Sequence, residues 1–348
     1  MRRNRKAIAL ILALMLVIAT FTSCAPKEAA GTSVEDFEPV VLRLASDAPI
    51  EHMATVLNNE LIAEVSEKTE GRVTIQLYPA SQLGGYDTVM EEVMQGTIDM
   101  CQTSFNAGVD QRFAAFNTPA LSTGYEEAKV VYGPDAFMSQ TYVDLCDEFG
   151  MVFGGFVLEG FIGLGLVKEA KDIKVPGAPK GVQIRVWGSP VCIDTMSDLG
   201  FKTVTVPYAE APMAIQTGVV DGWVGGTPNV NYAWVGEIID YFVVNYLYAE
   251  ISAYMISKKT MDQLLPEDQA VLMEAISTSS KNSFIRAEEN DEDYLKKLQD
   301  DYGVQIIRYS PEEIQAQADF VRNTTWPKLE SVISKDVLDG LKAELDKL

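Results

Sequence analysis

From Glu267 to Tyr302 the chain runs for 36 residues without a glycine or a proline, and Ala, Leu, Glu, Lys and Gln are abundant in the stretch. Such residues lose little side-chain freedom in a helix and nothing breaks the backbone, so the stretch reads as one very long helix or two nearly continuous ones. At 1.5 Å per residue the rod would be about 54 Å long, against the roughly 30 Å width of a small domain. A fold that keeps it must offer two bodies for it to lie across. The acidic run from Glu288 to Asp293 inside it reads as the face turned to solvent.

The remaining sequence asks for two bodies as well. The roughly 310 residues after position 38 exceed what one hydrophobic core usually supports. Strand and helix signals alternate, which predicts an α/β fold. Val41–Ala45 is a first strand, and Met53, Val56, Leu57, Leu61, Ile62 and Val65 give Glu51–Thr69 a helical period. Gly71–Pro79 alternates as a second strand, and Leu83-Gly84-Gly85 turns into a helix over Asp87–Gln95. A design then recurs. Glu91–Met100 and Ala214–Gly222 each read as a helix ending at a glycine, Gly96 or Gly218, followed at once by a short strand. Two lobes built alike would set these strands as counterparts, with a cleft beyond their carboxyl ends, after Met100 and after Asp221.

The first 23 residues read as a secretion signal. Arg2, Arg3, Arg5 and Lys6 precede the apolar run Ala7–Ala19, and Thr22-Ser23 stands before Cys24, the pattern of lipoprotein cleavage with lipid on Cys24. The run is shorter than the roughly 20 residues of a membrane helix. Residues 24–38 then read as a polar tether holding an extracytoplasmic body off the membrane. The formal net charge is −22, and cleavage removes only basic residues, which argues against a nucleic-acid partner. Cys101, Cys146 and Cys192 lack metal-ligand spacing and read as small buried residues.

Catalytic chemistry is scarce. His52 is the only histidine, which excludes a histidine metal cluster and weakens any Ser-His or Cys-His nucleophile, and it reads as a helix-start residue. Gly225-Gly226-Thr227-Pro228 lacks the Lys-Ser/Thr ending of a phosphate loop. No cofactor or metal is expected. Arg185 is the residue of interest. Flanked by Ile184, Val186 and Trp187, its guanidinium is heading into an interior and needs an anion, either a protein carboxylate or the carboxylate of a ligand.

Six segments carry a family resemblance: Tyr78–Gly84, Gln95–Asp99, Lys180–Val186, Leu199-Gly200, Gln216–Gly222 and Leu264–Asp268. In this order and spacing the sequence, from about Val41 to its end, resembles the DctP-type extracytoplasmic solute receptors of TRAP transporters. The resemblance implies a two-lobed, periplasmic-binding-protein-like α/β fold with a central cleft and the long helix spanning both lobes. Lobe I would comprise 39–162 with 251–290, and lobe II 163–250 with 291–348. It further implies a non-enzymatic receptor that closes on a small organic acid and delivers it to integral membrane subunits. A ligand sensor feeding a signalling protein and a secreted enzyme are the other readings.

By the same resemblance Arg185 falls on the position that grips the ligand carboxylate, and Tyr208 where an aromatic ring meets the ligand. The branch that binds sialic acid would carry further polar side chains at Gly165, Gly188, Gly225 and Ser104. Their loss predicts a wider pocket for a monocarboxylate with a bulky, weakly polar body, walled by Trp187, Trp223 and Phe161. Ser46, Asp47, Thr103 and Ser104 at strand ends, and Asn229 and Tyr232 after the glycine turn, are the other candidates. Whether Asp47 or Glu159 recruits a cation or a ligand amine stays open at this level.

Overall fold

The computed structural model describes residues 38–347, so the leader and Cys24 lie outside the described residues. Its strands form one mixed sheet: β1 (Val40–Ser46), β2 (Val73–Tyr78), β3 (Met100–Thr103), β4 (Met151–Leu166), β5 (Gln183–Val186), β6 (Lys202–Thr205), β7 (Gly222–Val224), β8 (Tyr241–Ser257) and β9 (Gln305–Arg308). The order is β2-β1-β3-β8-β4-β7-β5-β6, with β9 beside β8. From either edge inward the pattern is the same. Three parallel strands, β2-β1-β3 or β6-β5-β7, meet one long antiparallel strand, β8 or β4, and the two long strands pair at the centre.

The recurring helix-glycine-strand design is the reason. The helix Tyr86–Gln95 stops at Gly96 (φ 75°), and the helix Ala211–Gln216 gives way to Gly218 (φ 73°). A side chain resists this left-handed conformation, so glycine ends the helix and redirects the backbone. The strands that follow, β3 and β7, take equivalent places beside the long ones.

The rod is a single helix, Pro266–Tyr302, of 37 residues, opened by Pro266 and closed by Gly303 in the left-handed region. Leu272, Ala275 and Ile276 near its start pack with Leu42, Val65 and Val73 of the first half. Leu295 and Leu298 near its end pack with Ala214, Trp223 and Val235 of the second. Each fully buried leucine or isoleucine is worth about 1.5–3 kcal/mol, so the rod is fastened at both ends.

One member of its acidic run departs from the expected solvent face. Asp291 is buried, and its Oδ2 accepts from the Tyr125 hydroxyl at 2.6 Å and the Phe161 amide at 2.9 Å, which clamps the rod to β4. Burial pushes its carboxyl up to about 8. Cys101, Cys146 and Cys192 are buried, as expected, and no two of them are bonded to each other. Among the described residues no helix is long and apolar enough to cross a membrane.

Candidate functional site

A cavity of about 540 Å³ opens where four parallel strands end. Asp47 follows β1, Ser104 follows β3, Trp187 follows β5 and Gly225 follows β7, and all four line it. This is the expected place in an α/β sheet, because parallel strands leave a crevice beyond their carboxyl ends where loops can hold a ligand. Tyr86, Asn106, Asn117 and Tyr208 complete much of the wall, and Glu159 of β4 and Glu250 of β8 face it from the two central strands.

Arg185 reaches the cavity from β5 and is only 2% exposed. Its Nε donates to the Val206 carbonyl at 2.9 Å and its Nη1 to the Val224 carbonyl at 3.4 Å. No carboxylate among the described residues forms an ion pair with it. Of its two possible anions, a protein partner is therefore excluded within this arrangement. Burial lowers its pKa, while Tyr208, Tyr86 and Glu250 among its neighbours oppose that shift. The guanidinium carbon lies 5.8 Å from the Tyr208 ring and 6.0 Å from the Trp223 ring, a cation–π setting that steadies a charge without satisfying its donors.

Arg185, Tyr208, Trp187, Ser104, Asp47 and Gly225 thus meet at one cavity. The remaining candidates do not line it. Trp223 is fully buried behind Arg185, stacked on Trp234, with its Nε1 donating to Asn231 at 2.8 Å. Phe161 packs edge-on against Tyr125 and Tyr246 in a separate apolar group. The Ser46 hydroxyl donates to Gln102 at 3.0 Å and that of Thr103 to the Ser104 carbonyl at 3.1 Å, so both serve the strand ends. Asn229 is buried, and the Tyr232 hydroxyl turns outward to Asp301. Side chains alternate between the two faces along a strand, so Ser46 of β1, Thr103 of β3, Phe161 of β4 and Trp223 of β7 point away from the crevice, while Asn229 and Tyr232 turn away on the Pro228–Val235 helix.

The glycines also act differently from expectation. A Cβ on Gly165 would stand 2.6 Å from Asn231 Oδ1 and 3.0 Å from Trp223 Nε1, and one on Gly225 would stand 2.7 Å from the Trp223 ring. Trp223 has filled those two vacancies. Only Gly188 leaves open space towards the cavity, with Thr205 at 3.6 Å as the nearest atom to a built Cβ.

Nor is the chamber weakly polar. Glu159 is the extra residue of a β-bulge, between the Leu158–Ile251 and Gly160–Glu250 pairs, and a bulge of this kind re-aims one side chain. Glu250, which the sequence reading passed over, is the only charged residue of β8, and Glu159 the only one of β4. A lone carboxylate in a long apolar strand was the available signal, since buried charge is costly unless it is used. Burial, then the field of Glu159, pushes the Asp47 carboxyl up to about 7. Burial raises Glu159, and burial with the fields of Glu159 and Asp47 raises Glu250 well above the carboxylate range. His52 caps the helix Met53–Lys68 as expected, its Nδ1 accepting from the Ala54 amide at 3.2 Å, and its ring also lines the cavity.

Comparison with known proteins agrees with this architecture. An uncharacterised protein of Salmonella typhimurium, YiiZ, is 27% identical over 228 residues, 62% of this chain and 66% of that one. The structure of a TRAP periplasmic solute-binding protein from Ochrobactrum anthropi, with its C-terminus bound in the ligand-binding pocket, superimposes with a TM-score of 0.78. It is 24% identical and covers 90% of this chain and 96% of its own. Another from Desulfovibrio salexigens, with bound orotic acid, gives 0.79 at 18% identity over 88% and 99%. Residues 44–329 match the model of the bacterial extracellular solute-binding proteins, family 7, and the chain belongs to that DctP family.

Proposed function

We propose that this protein is the extracytoplasmic receptor of a TRAP (tripartite ATP-independent periplasmic) transporter. It captures a small organic acid by closing two lobes on it and passes it to membrane subunits without chemical change. The observation that carries the reading is the buried, unpaired Arg185 guanidinium at a cavity of about 540 Å³. A guanidinium held this way matches a carboxylate through two parallel hydrogen bonds. Orotic acid and a polypeptide C-terminus, held by the two structural relatives, both present a carboxylate.

Lobe I comprises 39–162 with 251–290, and lobe II 163–250 with 291–348. The change of neighbours along the long strands supports this division. Residues 253–256 of β8 pair with β3, whereas residues 164–166 of β4 pair with β7. The hinge then falls near Glu159–Gly163 and Ala249–Glu250, beside the cavity floor, so closure and ligand contact are coupled. Lipid on Cys24 would tether the receptor beside its membrane partner.

A thermal-shift screen of the purified protein against organic acids tests the reading. An acid at about 100 times its dissociation constant should stabilise the fold by about 2.7 kcal/mol and be recovered unchanged. Stabilisation by neutral solutes alone, or turnover of the acid that binds, would contradict it.

A further inference from the structure

The cavity holds a second buried ionisable side chain with no Lys or Arg partner, a carboxyl where Arg185 is a guanidinium. Glu159 is 9% exposed, and no Lys or Arg among the described residues forms an ion pair with it. Its protonation is constrained by its neighbours. The Gln102 carbonyl oxygen accepts from Ser46 Oγ at 3.0 Å and from Asn58 Nδ2 at 3.1 Å, which fixes the orientation of the amide. The Gln102 amino group must then face Glu159, and it donates to Oε1 at 2.8 Å. The Ser252 hydroxyl donates to the same oxygen. Oε1 is therefore an acceptor, leaving Oε2 for any proton.

Oε2, however, faces another donor. His52 accepts on Nδ1, so its proton is on Nε2, which lies 3.8 Å from Glu159 Oε2. The His52 ring is 1% exposed, and Nε2 has no hydrogen-bond partner although it borders the cavity. A carboxyl proton pointing at an N–H would be repelled, so the hydrogen-bond partners of Glu159 oppose the rise that burial imposes on its carboxyl, and a cation in the cavity would complete the stabilisation of its anion. The orphaned Nε2–H is a buried polar group left unsatisfied at this end of the cavity. Asp47 and Glu250 border the same space, whereas Arg185 enters from β5, on the far side of the two long strands from β1. No three His, Cys, Asp or Glu side chains among the described residues are grouped closely enough to hold a metal ion. The anionic end is spread out, which suits an alkylammonium with several N–H donors.

We propose that the ligand is an amino acid in the broad chemical sense, a carboxylate on Arg185 joined to a cationic nitrogen that sits among Glu159, Glu250 and Asp47. The inference rests on the receptor reading above and narrows it from organic acids to zwitterions.

The pH dependence of binding separates the two classes by sign. A cation placed beside Asp47, Glu159 and Glu250, whose carboxyls burial raises, lowers their pKa values and expels protons, so its affinity rises as the pH goes from about 5.5 to 7.5. An ammonium-free anion would raise them further, so its affinity falls over the same range. The other groups facing this space do not reverse the sign. His52, which burial lowers to about 4, is neutral throughout, Tyr86 and Tyr208 are raised and stay protonated, Arg185 stays charged, and Asp87 lies at the wall.

Matched pairs make the test: 4-aminobutanoate with butanoate, proline with cyclopentanecarboxylate, and 4-(aminomethyl)benzoate with 4-methylbenzoate, titrated calorimetrically into the full-length protein at pH 5.5 and 7.5. The ammonium member of at least one pair should bind tenfold or more tightly than its partner and gain affinity with pH. Glu159→Gln and Glu250→Gln, each close to isosteric, should erase most of that preference, and Arg185→Met should weaken binding of both members of a pair by tens- to thousands-fold. If an ammonium-free acid binds as well as its counterpart and needs Arg185, the zwitterion inference falls and the receptor reading stands. If Arg185→Met binds like the wild type, the receptor reading itself falls. A panel in which no ammonium-bearing acid binds also overturns the inference.

Discussion

Replacing Arg185 by Ala should weaken binding of the cognate acid by tens- to thousands-fold while leaving the melting temperature of the unliganded protein within a few degrees of wild type. The two halves of this result have one cause. On the receptor reading proposed above, the guanidinium becomes the counter-charge of a buried carboxylate when ligand binds, and truncating one partner of such a pair costs about 2–5 kcal/mol. In the free state it has no carboxylate to lose. It gives up two bonds to the Val206 and Val224 carbonyls and relieves a buried, desolvated charge. Calorimetric titration and thermal unfolding of the same preparation read both quantities. A large drop in melting temperature with little change in affinity would mark Arg185 as a structural residue.

Gly200→Ala should have the converse signature, a large loss of stability with ligand affinity preserved in the protein that still folds. Gly200 follows the helix Pro190–Asp198 with φ at +98°, a conformation that costs an L-residue about 1–3 kcal/mol. A Cβ there would also stand 2.1 Å from the carbonyl oxygen and 2.7 Å from the carbonyl carbon of Ala178, backbone atoms that cannot swing aside as a side chain would. The carbonyl of Gly200 itself receives the Lys180 amide, so any shift also pulls on the approach to β5. The expected cost is about 3–4 kcal/mol, lowering the midpoint by roughly 6 °C or more for a protein of this size. Gly200 does not line the cavity, which is why affinity should survive. A midpoint within 2 °C of wild type would contradict this account of why glycine stands there.

The fold was legible where the sequence signal is local and long. The rod announced itself by lacking Gly and Pro between Glu267 and Tyr302, and it is one helix from Pro266. Gly96 and Gly218 marked the repeated half because positive φ is a requirement the residue itself reveals. Arg185 was legible too, a charge amid apolar strand neighbours whose register sends it inward. What escaped depends on packing between distant segments. Nothing near Gly165 says that Trp223 and Asn231, from a distant part of the chain, will lie over it, and nothing near Asp291 says that Tyr125 and the Phe161 amide will donate to it. Glu250 lies between these cases. Its isolation in β8 was visible, but its position beside a bulged Glu159 follows only from the pairing of two strands about ninety residues apart.

The most direct test of the whole account is a crystal structure with the acid that gives the largest thermal shift. It should show the ligand carboxylate about 2.7–2.9 Å from the Arg185 guanidinium nitrogens, in the crevice beyond β1, β3, β5 and β7. A ligand bound elsewhere, or an Arg185 paired with a protein carboxylate while the acid occupies the cavity, would contradict it.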